Sequence, residues 1–175
     1  METTINFAKI RPDAIIPSKR DEDMGYDIYS CFDEDFISIN PNETKMIPTG
    51  IASACDPEYG FLLRERGSTG SKGIALRAGV IDSGYRNEWF VCLTNTTNKV
   101  LFISKLSAEE IINYLSNNYN INYKPYNIIV YPYKKAIAQA IVIPMPKTIV
   151  NEISYESLQN IRSDRGSGAL GSSGK

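Results

Sequence analysis

Apolar and polar positions alternate with a period of two along most of this chain, in short runs separated by turn residues. Ile5, Phe7 and Ile10 open the pattern before Pro12 and Pro17 break it, which predicts an opening edge strand. Gly25–Ser30, Phe36–Ile39, Lys45–Ala52 and Gly60–Arg64 read as further strands, with Asn40-Pro41-Asn42-Glu43 separating the second from the third. Val80-Ile81 and Trp89–Leu93 predict a β-hairpin joined by a tight Ser83-Gly84 turn, with Asp82 and Tyr85 at its tip. Ala136–Ile143 predicts a late strand that is apolar except at Gln139. Many short strands with turn signals about every 8–12 residues predict an all-β barrel or sandwich.

One segment departs from this period. Residues 107–118 begin with Ser107, carry Glu110 three positions on, and place Ile111, Ile112 and Leu115 on one face, which predicts a short capped helix. The Tyr- and Asn-rich stretch from there to Pro132 reads as a loop or an added hairpin. At the other end, residues 165–175 are too rich in Gly and Ser to pack and read as a tail.

Composition narrows the function. With 175 residues and 42% hydrophobic content, the chain suits one domain with its own core, here residues 1–160, followed by a flexible segment 161–175. Its 19 basic and 20 acidic side chains leave no basic field for nucleic acid or an acidic membrane surface. A small phosphorylated ligand held by a few local donors fits better. No stretch approaches the roughly 20 apolar residues of a membrane span. The N-terminus lacks the parts of a signal peptide, and Cys31, Cys55 and Cys92 are widely spaced, so the expected location is cytoplasmic with reduced thiols. There is no histidine, which removes Ser-His-Asp and Cys-His mechanisms and histidine-ligated zinc. Chemistry must run on carboxylates, Arg, Lys, Tyr, Ser and an oxygen-bound metal.

Several residues carry such chemistry. Asp82 is a lone acid in an apolar strand beside a ring, Tyr85, and it reads equally as a turn residue satisfied by local backbone. Arg66-Gly67-Ser68-Thr69-Gly70-Ser71-Lys72-Gly73 offers free N–H groups, hydroxyls and a guanidinium to phosphate oxygens, although a plain surface loop has the same look. Gln139 needs partners if its strand is central, from the protein or from a phosphate. Arg165 and the Gly/Ser tail have the makings of a lid over an anion, and Asp27 and Asp82 near a triphosphate suggest Mg2+.

Taken in order, five segments resemble the trimeric dUTPase family: Gly25-Tyr26-Asp27-Ile28-Tyr29, Arg66–Gly73, Gly79–Arg86, Ile137–Pro144 and Arg165–Gly174. The resemblance implies a jelly-roll-like all-β subunit in a homotrimer with shared active sites, and hydrolysis of dUTP to dUMP and pyrophosphate with Mg2+. It implies that Asp82 activates the water that attacks the α-phosphorus and that Tyr85 lies under the deoxyribose. Gly79, Val80 and Ile81 would read the uracil edge through their backbone. Arg66, Gly67, Ser68 and Gln139 would hold the phosphates, and Arg165, Leu170, Gly171 and Ser172 would close over them. Asp27 would support the metal, through water. The family's second motif usually has Ser where this chain has Gly67, and the usual lid phenylalanine is Leu170. Against the family's spacing residues 105–131 read as an insertion, first as a tolerated surface excursion, otherwise as a trimer-stabilising element or a surface for a protein partner. Two other readings share the scaffold: a dCTP deaminase, although Cys92-Leu93-Thr94-Asn95 lacks the proton-shuttling acid, and a nucleotide-sensing regulator.

Overall fold

A computed structural model describes residues 3–164 and Gly166. In chain order its elements are β1 (Ile5–Lys9), β2 (Tyr26–Ile28), β3 (Phe36–Ile39), β4 (Thr44–Pro48), β5 (Ile51–Cys55), β6 (Tyr59–Arg64), a single helical turn α1 (Gly67–Gly70), β7 (Ile74–Arg77), β8 (Val80–Ile81), β9 (Phe90–Asn95), β10 (Val100–Ser104), α2 (Ala108–Tyr119), β11 (Ile128–Pro132), β12 (Ala138–Pro144) and α3 (Tyr155–Gln159). The fold is all-β and agrees with a jelly roll. Four small sheets run β1-β5, β11-β10-β3, β2-β12-β6-β8 and β4-β9-β7. The chain divides into two compact units, Met1–Met145 and Pro146–Lys175. The second holds α3, capped by Ser154, and exposes Ile149, Val150, Tyr155 and Ile161.

Strand alternation feeds one main core. Ile28, Phe61, Leu63, Val91, Leu93, Leu101, Ile103, Ala138 and Ala140 all point into it, and Trp89 is fully buried there between Phe7 and Phe61. The run Lys45–Ala52 is two strands rather than one. Gly50, at φ 67°, turns the chain so that β4 joins β9 while β5 joins β1.

The expected hairpin at 80–93 is also different. The turn exists, since the Tyr85 N–H donates to the Asp82 carbonyl at 3.0 Å. Its two flanking strands, however, lie in separate sheets: β8 pairs with β6, and β9 pairs with β4 and β7. The cause lies just beyond the turn. Glu88 accepts the Gly50 N–H at 2.7 Å, the Trp89 N–H donates to Ile51, and Thr49 donates to the Trp89 carbonyl. These bonds and the burial of the indole carry the chain away from β8 into the core.

Helix α2 forms where the capping box predicts it, with Ser107 and Glu110 satisfying each other's backbone N–H. The stretch after it is a loop over 120–124 and a single 3-10 turn at Pro125–Asn127, but not to its end. Its last part is β11, which runs parallel to β10, so 100–132 is a β-α-β crossover. Ile111 and Leu115 of the helix pack on Val100, Phe102 and Ile128 to make a second small core. All five residues of β10 are therefore buried, as expected of a strand covered on both faces. The excursion is an integral layer, and its apolar stripe is taken up internally.

Candidate active site

The candidate site residues fall into two groups in the first unit. The first begins at the break in β-pairing that follows β6. The Leu63 N–H still donates to the Gly79 carbonyl at 2.7 Å, and Ala78 (φ 57°) and Gly79 (φ 116°) turn β8 away from β7. A side chain at Gly79 would meet the Leu63 carbonyl oxygen at 2.9 Å, so only glycine fits this close approach. The turn opens a cavity of about 270 Å³ lined by Arg77, Ala78, Gly79, Val80, Ile81, Asp82 and Tyr85, with Met46, Phe90 and Cys92 as its floor. Strand register brings these together: Met46, Cys92 and Arg77 form one cross-strand row, and Phe90 lies two residues before Cys92 on β9. Tyr85 is fixed by a 3.0 Å bond from its hydroxyl to the Glu88 carbonyl. Among the described residues, the Asp82 carboxylate has no hydrogen bond or ion pair, and it is exposed at the cavity rim. Sequence reading finds the wall of this cavity and misses Met46, Phe90, Cys92 and Arg77, which only strand register brings in.

The second group sits on the outer face of the β2-β12-β6-β8 sheet. Asp27 pairs with Gln139, and Gln139 with Arg64, so the three share one row. Arg66 reaches back to this row, its Nε 3.1 Å from Asp27 Oδ1 and its Nη2 3.3 Å from Oδ2. The amide of Gln139 donates to the Glu65 carbonyl at 2.8 Å. Gly25 makes room for that amide, since a Cβ there would lie 2.8 Å from Gln139 Oε1. The expected loop after Arg66 is the α1 turn, closed by Thr69, whose hydroxyl accepts the Arg66 N–H. Ser68 is exposed, and nothing lies within 4 Å of where a side chain at Gly67 would project. In this structure Asp27 thus serves Arg66 with both oxygens. Arg165, Leu170, Gly171 and Ser172 lie outside the described residues.

The two groups lie apart on the sheet. Phe61 pairs with Ile81 and Arg64 with Gln139, so Asp82 falls beside Gly60. That displacement is about 13 Å along β6 and about 10 Å across to β12, or about 16 Å in all. A general base must lie within a hydrogen bond, or one water, of the proton that it takes.

A family model for dUTPase matches residues 11–107. The chain belongs to the dUTPase family. Among curated relatives, the deoxyuridine 5'-triphosphate nucleotidohydrolase of Wolbachia pipientis is 31% identical over 88% of this chain and 82% of its own length. That of Nautilia profundicola is 29% identical over 98% of this chain and 99% of its own length. The match to the Mycolicibacterium gilvum enzyme, at 33% identity, spans 54% of this chain and 62% of that relative. Among solved structures, the dUTPase of Staphylococcus bacteriophage 80alpha with dUpNHpp superposes at a TM-score of 0.72, with 23% identity, covering 98% of this chain and 99% of that one. Among the described residues the chain contains no helix long and apolar enough to cross a membrane.

Proposed function

We propose that the chain hydrolyses dUTP to dUMP and pyrophosphate at sites assembled between copies of itself in a homotrimer. The observation that carries this reading is the separation of the two groups: a base-sized cavity with an unpaired carboxylate at its rim, and a cationic phosphate cluster about 16 Å away on the same sheet. The cavity of one copy must meet the cluster of another. Such a contact joins two different surfaces, and heterologous contacts give a closed ring when the rotation closes, as it does in a trimer.

In this reading the backbone of Gly79–Ile81 reads the uracil edge, and Tyr85 supports the deoxyribose. Asp82 orients and deprotonates the water that attacks the α-phosphorus, and its freedom from protein partners leaves both oxygens for that water. Arg66, held in its pose by Asp27, and Gln139, held by the Glu65 carbonyl, receive the phosphate oxygens of a nucleotide seated in a neighbouring copy. Arg165, Leu170, Gly171 and Ser172 close over the phosphates. No group of three or more His, Cys, Asp or Glu among the described residues could hold a metal ion. Mg2+ would come with the triphosphate, and Asp27, beside Arg66, is the residue that would support it through water. When bound it offsets charge on the phosphate oxygens.

The deaminase reading fits less well. On β9, where a shuttling acid would be needed, Thr94 is hydrogen-bonded to Thr44, and the Asn95 amide donates to Ile39 and Lys99. The test is pyrophosphate release from dUTP, dTTP, dCTP and UTP, with and without Mg2+. Release from dUTP alone is expected, and uridine nucleotide formed from dCTP would overturn the proposal.

A further inference from the structure

We infer that Glu65 is a positioning residue of the phosphate site, acting as a clamp between the Arg66 turn, Gln139 and the strand that leads into the base cavity. The inference rests on the reading above, that Arg66 and Gln139 receive the triphosphate.

Glu65 sits where main-chain pairing fails. The β6–β8 ladder pairs Phe61 and Leu62, and the Leu63 N–H then donates to the Gly79 carbonyl. Two residues further on, the left-handed backbone at Ala78 and Gly79 has carried the partner chain into another sheet. There β7 is an edge strand, paired only to β9. Its outward Leu76 N–H would be left without a partner strand. The Glu65 carboxylate crosses the gap and accepts that N–H through Oε1 at 2.9 Å. The side chain thus replaces a missing ladder bond between the two sheets.

Its main chain does a second job. The Glu65 carbonyl receives the Gln139 amide at 2.8 Å, and the next residue is Arg66. The side chain pins Glu65, and pinned Glu65 sets both phosphate ligands. The carboxylate is only 29% exposed, and its second oxygen lies 3.7 Å from Arg64 Nε. Donation by the Leu76 N–H holds the carboxyl below the usual glutamate range, in accord with a preformed acceptor.

What matters in this role is an acceptor at the right reach, not a charge. Glu65→Gln keeps the reach and an acceptor oxygen. Glu65→Asp keeps the charge and withdraws the oxygens by one methylene. Glu65→Ala removes both. The expected result is a KM for dUTP about tenfold higher in E65A and E65D, with kcat changed less than about twofold and E65Q close to wild type. The Leu76 amide, followed by hydrogen exchange, should be protected in wild type and E65Q and released in E65D and E65A. Unaltered KM and protection in E65A, or equal damage in E65Q and E65D, would overturn the inference. If E65A does not fold, the E65Q and E65D pair decides. If wild-type protein does not turn over dUTP, the activity reading falls while amide exchange still reports on the clamp.

Discussion

Arg66 and Asp27 face each other side by side, with Nε to Oδ1 at 3.1 Å and Nη2 to Oδ2 at 3.3 Å, and this pair aims the guanidinium along the row that holds Gln139. Both side chains are about a third exposed, so solvent screening keeps the pair near the strength of a surface ion pair, about 1 kcal/mol at most. Its value lies in direction. Asp27→Asn should raise KM for dUTP by about fivefold with little loss of kcat. Steady-state kinetics at fixed Mg2+ checks this. An unchanged KM would show that Arg66 finds its pose without Asp27.

Gly67 stands where the resembled family usually has a serine, and its surroundings are open. Gly67→Ser should therefore fold normally, with a stability change within about 0.5 kcal/mol. The added hydroxyl supplies one more phosphate donor, and kcat/KM for dUTP should rise severalfold, about one hydrogen bond's worth. A fall in kcat/KM would mean that the α1 turn already meets the phosphates through its backbone alone.

Helix α2 contributes stability rather than chemistry. Ile111 is fully buried in the second core, against Val100, Phe102 and Ile128. Ile111→Ala should cost about 2–5 kcal/mol in chemical denaturation while leaving KM for dUTP unchanged at temperatures where the variant stays folded. A shift in KM without loss of stability would place the crossover in the site.

Glu65 also links stability to pH. Its folded-state pKa is lowered from 4.5, so the carboxylate stabilises the fold above the unfolded value, and that contribution is lost as pH falls below 4.5 through the folded value. Glu65→Gln removes this titration. The stability of wild type relative to E65Q should be greatest near neutral pH and shrink at acid pH. Urea unfolding at pH 7 and pH 4 measures it. A gap that widens on acidification would contradict the assigned direction.

Much of this was legible in the sequence, for local reasons. Period-two runs such as Phe61–Leu63 and Val91–Leu93 mark strands because one face must be buried, and Ser107 with Glu110 marks a helix start because both satisfy N–H groups of the same turn. The acid and ring at Asp82 and Tyr85 were legible for the same reason, being held by one turn. Non-local pairing was not. The Val80-Ile81 and Trp89–Leu93 strands lie close in sequence but in different sheets, because Gly50, Ile51 and Thr49 capture Glu88 and Trp89. Likewise β11 looked like a loop until its parallel register with β10 buried Tyr131. Glu65 gave no signal at all, since its partners are Leu76 and Gln139, residues 11 and 74 positions away.

The central claim is that Asp82 of one copy works with Arg66 and Gln139 of another. Two variants, Asp82→Asn and Arg66→Ala, should each be nearly inactive alone. They can be unfolded together, refolded as a mixture at equal amounts, and assayed for pyrophosphate release from dUTP. In mixed trimers, a site that pairs Asp82 from one variant with Arg66 from the other is intact, which random assembly gives at about one site in four. Recovery of about a quarter of wild-type activity is the predicted result. Activity no higher than that of the separate variants, with mixed trimers confirmed by mass, would contradict the shared site.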